Sequence, residues 1–509
     1  MSRERIVVLD FGGQYNQLIV RRVREAGVYC ELYSCQTAME NWLGDDIKGI
    51  ILTGGPQSVY GENSLTCSDK VIELGIPVLG ICYGMQWLTH HLGGKVGAMP
   101  AAEYGKTELH VDTKHVLFQD VREQSIIWMN HNDGVTELPA GFVNTASTVN
   151  CPHAAMADES RRYFGVQFHP EVAHSQFGKE MLHSFVFQVC GCKGDWSMDS
   201  LSTELIAEIK TTIGQGKVVC GLSGGVDSSV AATLVHQAVG DQLTCIFVDH
   251  GLLRQNEAEE VMSTYAGLGL KVILVNAQER FLSKLAGVSD PERKRKIIGA
   301  EFIRVFEEEA NKLGQVDFLV QGTIYPDVIE SGEGHASLIK SHHNVGGLPK
   351  DVQFKLVEPL RLLFKDEVRK LGLSIGIKPS MIWRQPFPGP GLAIRILGDI
   401  TEEKLRIVRE SDYILRMEIA AAGLERDVWQ YFTVFTPLHT VGVMGDARTY
   451  DHVIAVRAVV STDAMTVEAA SLPHPLLHKI AGRIINEVKG VSRVVYDITS
   501  KPPGTIEWE

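Results

Sequence analysis

Seven short apolar runs, at residues 6–9, 47–52, 76–79, 217–222, 243–248, 271–275 and 318–321, constrain this chain more than any other feature. Most are closed by a glycine-bearing turn: Asp10-Phe11-Gly12-Gly13, Thr53-Gly54-Gly55-Pro56, Gly80 and Asp249-His250-Gly251. Helical patterns stand between them, such as Leu18, Ile19 and Val23, and the stretches 201–213, 256–268 and 297–313. Short, fully apolar strands alternating with helices predict parallel α/β sheets with both faces covered. Around 105–168 the texture changes to Thr/Val/His alternation with turn-like sequences such as Asn132-Asp133-Gly134, which predicts antiparallel strands beside the first parallel core. Beyond Gln385-Pro386-Phe387-Pro388-Gly389-Pro390-Gly391, which reads as a rigid linker because proline excludes regular helix and central strand, the pattern becomes a helix at 403–422 with alternating strands at 453–460 and 494–498. That portion reads as a small α+β domain.

A chain of 509 residues is long enough for about three or four domains. With 44% hydrophobic residues it is too apolar for disorder, and no 18-residue apolar run predicts a transmembrane helix. The start Met1-Ser2-Arg3-Glu4-Arg5 leads straight into a strand pattern, so no signal peptide is expected. The net charge of −13 argues against nucleic-acid binding through bulk charge. Nine cysteines, an odd number without C-x-x-C spacing, read as reduced thiols and neither as a disulfide framework nor as a zinc site.

Three motifs carry chemistry. In Gly80-Ile81-Cys82-Tyr83-Gly84, a strand meets a helix through a G-x-C-x-G turn. Flanking glycines permit a sharp elbow that exposes a nucleophile at a helix N-terminus, where thiolate is favoured and backbone amides can hold an oxyanion. A lone cysteine is more often a small buried hydrophobe; the spacing brings the two readings level. In Phe168-His169-Pro170-Glu171, proline extends the chain at His169, so Glu171 falls on the same side. A carboxylate orienting an imidazole that activates a thiol forms a catalytic triad; this tripeptide alone reads better as a surface histidine and a solvated glutamate, a reading the upstream elbow cysteine weakens. In Ser223-Gly224-Gly225-Val226-Asp227-Ser228-Ser229, a strand ends in two glycines and three serines before a helix, an anion cradle. It lacks the lysine of a Walker A loop, which favours cleavage between the α- and β-phosphates. Cations scatter nearby at Arg254, Arg293-Lys294-Arg295-Lys296 and Lys340-Ser341-His342-His343-Asn344. Such a run is usually a solvated helix face, adjacent histidines splay apart rather than chelate, and residues 330–347 read as a mobile loop near phosphate.

Together these residues resemble the glutamine-hydrolysing GMP synthase family over essentially the whole chain. Gly80–Gln86 and Phe168–Glu171 are similar to class I glutamine amidotransferase signatures, which implies Cys82, His169 and Glu171 as the catalytic set and the amides at Gly54-Gly55 and Tyr83 as the oxyanion hole. Ser223–Ser229 resembles the loop of the N-type ATP pyrophosphatases, shared with NAD synthetases, argininosuccinate synthetases and tRNA-thiolating enzymes. Phe387–Ala393, Val441–Asp446 and Lys501–Glu509 resemble the family's own dimerisation domain. The resemblance implies a class I amidotransferase α/β domain at 1–193, a doubly wound parallel-sheet ATP pyrophosphatase domain at 194–384 and a C-terminal α+β dimerisation domain at 385–509. It implies ATP-dependent amination of XMP with ammonia from glutamine, giving GMP, AMP, pyrophosphate and glutamate: a carbon–nitrogen ligase of purine biosynthesis. Arg254, Lys501 and Glu507 are its implied XMP contacts, and Mg²⁺ accompanies ATP with no dedicated metal site. A cytoplasmic homodimer without nucleic-acid or membrane partners is expected. His250 stands where many relatives carry Asn, with little consequence expected. Another ligase pairing the same modules, and a non-catalytic nucleotide or glutamine sensor, are the competing readings.

Overall fold

The first apolar run forms β1 (Arg5–Asp10), with Ile6 to Leu9 no more than 1% exposed, as a strand covered on both faces requires. The computed structural model describes residues 3–330, 354–444, 446–461 and 467–509. The chain forms two compact units, Met1–Ser197 and Met198–Glu509.

In the first unit β1 is followed by α1 (Asn16–Glu25), β2 (Tyr29–Ser34), β3 (Ile47–Leu52), β4 (Val78–Ile81) and α2 (Tyr83–His91). β5 (Lys95–Val111), β6 (Gln124–Glu137), β7 (Val143–Ser147), β8 (Ala155–Asp158), β9 (Tyr163–Val166) and α3 (Gly178–His183) complete it. One nine-stranded sheet results, in the order β2-β1-β3-β4-β9-β8-β7-β5-β6. Its first five strands are parallel, and its remaining pairings are antiparallel. Asn132-Asp133-Gly134 is not the expected turn. It runs inside β6, with Gly134 paired to Gly97 and Asp133 to Ala98. The irregularity sits instead on β5, between Ala98 and Glu103, and a Cβ on Gly134 would lie only 2.8 Å from Met99 Sδ. The glycine admits the neighbouring strand rather than bending its own.

The second unit opens with α4 (Met198–Ile213), β10 (Val218–Leu222), α5 (Val226–Val239), β11 (Leu243–Asp249), α6 (Glu257–Gly267) and β12 (Val272–Asn276). It continues through α7 (Gln278–Leu285), α8 (Pro291–Lys312), β13 (Phe318–Val320), α9 (Tyr325–Glu330), β14 (Lys355–Val357), α10 (Lys365–Ser374) and α11 (Pro379–Ile382). Five parallel strands stack in the order β12-β11-β10-β13-β14. Residues 384–390 form neither helix nor strand, as the prolines require. Then come α12 (Glu402–Ala421), β15 (Gln430–Met444), β16 (Ala447–Val460), β17 (Glu468–Ala469), α13 (His474–Glu487) and β18 (Val491–Asp497). β15, β16 and β17 are antiparallel, and β18 adds to β16 in parallel. One apolar core runs from Val219 and Ile246 through Val305 to Leu415, Phe435 and Ile484, joining both sheets of this unit.

The basic run at 293–296 is not uniformly a solvated face. Lys294 is completely buried in the first turns of α8, on the stripe continued by Ile298, Glu301 and Val305. Its ammonium donates to the carbonyls of Ala393 (3.1 Å) and Ile396 (2.7 Å) and pairs with the Glu509 carboxylate. Residues 340–344, and nearly all of the stretch 330–347, lie outside the described residues.

Candidate active sites

β4 delivers Cys82 to the N-terminus of α2 in a backbone conformation of φ 52° and ψ −107°. For a side chain with a Cβ this costs on the order of 1–3 kcal/mol, a form of strain that clusters at functional sites. The flanking glycines make the turn possible: a Cβ on Gly80 would stand 2.5 Å from the Met85 nitrogen, and one on Gly84 2.3 Å from the Leu52 carbonyl oxygen. The Cys82 amide donates to the Val166 carbonyl at 2.8 Å, tying the elbow to the end of β9. Three residues further on, His169 is held by its own amide on the Trp128 carbonyl (3.0 Å) and by Ser175 Oγ donating to its carbonyl (2.6 Å).

His169 and Glu171 are both buried, and His169 Nδ1 lies 2.7 Å from Glu171 Oε1. Burial alone would push the imidazole's pKa down. The Glu171 carboxylate and the Cys82 sulfur outweigh it and hold the pKa well above the usual histidine range. The edge of Tyr15 closes on the ring at 4.9 Å. Gly54 lies under both groups: a Cβ there would be 3.2 Å from His169 Cε1 and 3.7 Å from Cys82 Cβ. Gly55 backs onto the Tyr83 ring, and Tyr83, as the first helical residue, presents an amide with no intrahelical acceptor. The structure thus gathers Cys82, His169, Glu171, Gly55 and Tyr83 in one place.

Sequence spacing hid the polar groups around them. Gln167 Nε2 is 3.6 Å from Cys82 Sγ, and Gln86 bridges Gln167 to the Asp133 carbonyl. Behind them Glu103, His131 and Cys151 are all buried, with one donor atom of each within 4.8 Å of the others. His131 Nδ1 is 2.9 Å from the Asp133 carbonyl and Nε2 is 3.4 Å from Glu103 Oε2, while Thr148 Oγ1 donates to Glu103 Oε1 at 2.8 Å. These residues come from different strands and a loop, so no local motif announces them.

In the second unit, residues 223–225 link β10 to α5, and residues 226–229 form the helix's first turn. Gly224 has φ 74°, and Gly225 caps the helix in extended backbone. Ser223 Oγ and Ser228 Oγ face each other at 3.1 Å on the rim of the loop. Ser229 turns inward, donating to the Gly225 carbonyl (2.6 Å) and meeting the Tyr265 hydroxyl at 2.8 Å. Two of the three hydroxyls therefore face the cradle and the third braces it, because the first helical turn buries that position. Val226 is also buried. Asp227 Oδ2 pairs with Lys365 at 2.5 Å, while its Oδ1 is buried without a hydrogen-bond partner. Arg384 donates to the Gly224 carbonyl at 2.8 Å and pairs with Glu257. Lys365 and Arg384 add cations at the loop from distant parts of the chain.

Arg254 is almost fully buried. Its guanidinium donates to the Pro386 carbonyl at 3.2 Å and stacks over Phe387 at 4.4 Å, and Nε has no partner. Burial lowers its pKa to about 10. Arg395 also lies over Phe387 and over Phe432, and it binds Glu507 through two nitrogens at 2.8 and 3.1 Å. Gln430 Nε2 reaches the same carboxylate at 3.0 Å. Arg254 and Glu507 are thus joined through Phe387 and Arg395, two residues the sequence reading did not assign to this site. Lys501 is placed by its backbone, which bridges to Val467 in antiparallel fashion. An open pocket of about 400 Å³ is lined by Tyr496, Asp497, Thr499, Thr505, Glu507 and Trp508.

Three stretches of the chain match known families. Residues 7–189 match the family described as glutamine amidotransferase class-I, 199–296 match NAD synthase, and 417–508 match the GMP synthase C terminal domain. The chain is 60% identical to the GMP synthase [glutamine-hydrolyzing] of Bacillus licheniformis over 510 aligned residues, covering 100% of this chain and 99% of that protein. It is 59% identical to the protein of that name from Geobacillus kaustophilus and 60% identical to that of Clostridium novyi, each covering 100% of both chains. At that identity over full length, the chain belongs to the glutamine-hydrolysing GMP synthase family.

Proposed function

We propose that this protein makes GMP from XMP, ATP, glutamine and water, releasing AMP, pyrophosphate and glutamate. The observation that carries this reading is the co-occurrence, in a family member, of a strained Cys82 elbow beside a buried His169–Glu171 pair and a separate Ser223–Ser229 phosphate loop.

In the first unit the Cys82 proton rests on His169, whose raised pKa favours the imidazolium, and the thiolate Sγ attacks the side-chain amide carbon of glutamine. The amides of Gly55 and Tyr83 receive the oxyanion. His169 returns the proton to the leaving ammonia, and water cleaves the thioester to glutamate. Glu171 orients the imidazole and stabilises its cation.

In the second unit the amides of 224–226 and the Ser223 and Ser228 hydroxyls hold ATP phosphates. The xanthine C2 oxygen attacks the α-phosphorus, pyrophosphate leaves, and ammonia then displaces AMP. A carbonyl oxygen leaves poorly and AMP leaves well, so adenylylation lowers the barrier to amination. Asp227 fits an ATP-bound Mg²⁺ because one of its oxygens is buried without a partner; when bound, the ion neutralises phosphate charge. Arg254, a desolvated cation with an unpartnered Nε, suits an anionic nucleotide, as do Lys501 and, towards sugar or base donors, Glu507.

The C-terminal sheet joins two copies into a dimer in this reading. Leu438, Val443 and Tyr450, 62%, 78% and 67% exposed on the β15–β16 ribbon, support it. A cytoplasmic setting fits nine free cysteines, and among the described residues no helix is long and apolar enough to cross a membrane.

The division of labour is tested with Cys82→Ala. Glutamine-dependent GMP formation should vanish while ammonium salts still support it, with AMP and pyrophosphate as products. Loss of both activities in a folded sample would refute the assignment, and ADP with orthophosphate would refute the phosphate-loop reading.

A further inference from the structure

We propose that Gln167 is a catalytic residue of the glutaminase centre, whose side-chain amide donates a hydrogen bond to the Cys82 sulfur and stabilises the thiolate. This rests on Cys82 being the nucleophile. Gln167 is completely buried and its backbone is locked, its amide donating to the Ala154 carbonyl at 2.8 Å. Its side-chain nitrogen lies 3.6 Å from Cys82 Sγ.

The orientation of that amide is set by a chain that ends on an unambiguous acceptor. The Asp133 carbonyl can only accept. It lies 2.8 Å from Gln86 Nε2, so that atom must carry the protons. The same Gln86 nitrogen is 3.1 Å from Gln167 Oε1, which uses the second proton and fixes the Gln167 oxygen on that side. The Gln167 NH₂ is left facing the sulfur. His131 Nδ1 donates to the same Asp133 carbonyl at 2.9 Å and holds it in place.

A donor aimed at sulfur favours its anion over the thiol, and more so where water is absent. When the thiol proton moves from Sγ to His169, the sulfur keeps the electron pair that will form the bond to the amide carbon. The Gln167 N–H remains directed at that charge. His169 takes the proton, and Gln167 steadies what the proton leaves behind.

The test is the rate at which iodoacetamide alkylates Cys82 in the full-length chain, followed by peptide mass spectrometry across pH. Gln167→Leu should slow alkylation at neutral pH by about 10–100-fold, the worth of one hydrogen bond to a charged group, and move the profile alkaline. Glutaminase kcat should fall in parallel with the KM for glutamine roughly unchanged. Gln167→Glu keeps the shape but presents a carboxylate to the sulfur, so it should be slower still than Gln167→Leu. A packing role would give the opposite order, since the isostere packs better. If Gln167→Leu fails to fold, the Glu variant decides by itself. Wild-type alkylation in the Gln167 variants, or a raised KM with kcat preserved, would overturn the inference. Retention of glutaminase activity by Cys82→Ala would instead overturn the reading of Cys82 on which it rests.

Discussion

His169 illustrates how a single side chain is tuned by opposing effects. Burial disfavours its cation, and the carboxylate of Glu171 at 2.7 Å and the Cys82 sulfur together more than compensate. Replacing Glu171 by Gln removes the charge and leaves the burial, so the His169 titration midpoint should fall. A histidine-resolved NMR titration would read it, and an unmoved midpoint would mean that Glu171 is not what holds the proton. His169→Ala should slow glutamine hydrolysis by about 10²–10⁴-fold, the usual size of a positioned acid–base group, with a smaller loss for Glu171→Gln. The pairing was legible in the sequence because two residues separated by one proline are neighbours under almost any extended backbone. Gln167 escaped notice because its role depends on which way an amide points, and that is decided by Gln86 and Asp133, far away in the chain.

Among the elements, the two strand-to-helix turns behave alike and for related reasons. At the elbow, glycines admit close backbone approach, while at residues 223–229 Gly224 supplies the left-handed φ and the helix start supplies amides. Asp227 sits in the first turn of α5 with one oxygen on Lys365 and one without a partner. Asp227→Ala should remove GMP synthesis with either glutamine or ammonium as nitrogen source and leave the glutaminase thiol reactive. Persistence of ammonium-driven synthesis would place the phosphates elsewhere. The long helix α8 shows where element boundaries are readable. It begins six residues before the apolar pattern suggested, because Asp290 accepts from the Arg293 amide at 2.7 Å and Pro291 opens the helix. The 132–134 segment shows the reverse: Asn-Asp-Gly is turn chemistry, yet a bulge on the facing strand let it stay straight.

For the whole molecule, distant segments complete each site and set its tolerance to conditions. His250, buried against Phe281, accepts from the Leu252 amide through Nδ1 at 3.1 Å, and burial lowers its pKa from 6.5 to about 4. Below pH 6.5 the unfolded chain takes up a proton that the folded chain refuses until about pH 4. Stability is therefore whole above pH 6.5 and is lost as pH falls through that window, by roughly 3 kcal/mol for this group. His250→Asn keeps an acceptor and removes the titration, so it should flatten the acid limb of the second unit's denaturation curve; an unchanged limb would assign the acid sensitivity elsewhere. Lys501→Ala should raise the KM for XMP by about 10–100-fold while Cys82 chemistry persists. Damage to ATP affinity alone would put the tail at the wrong ligand. By itself the sequence determined the parallel sheets, the glycine-built turns and the residues carried on them, because strand period, turn stereochemistry and neighbour spacing act over a few residues. Only the tertiary structure decided that Lys294 is buried on Glu509, that Arg395 joins Phe387 to Glu507, that Lys365 meets Asp227 and that Gln167 faces the Cys82 sulfur. Desolvated charges and amides must find partners wherever packing brings them, and sequence distance carries no record of that search.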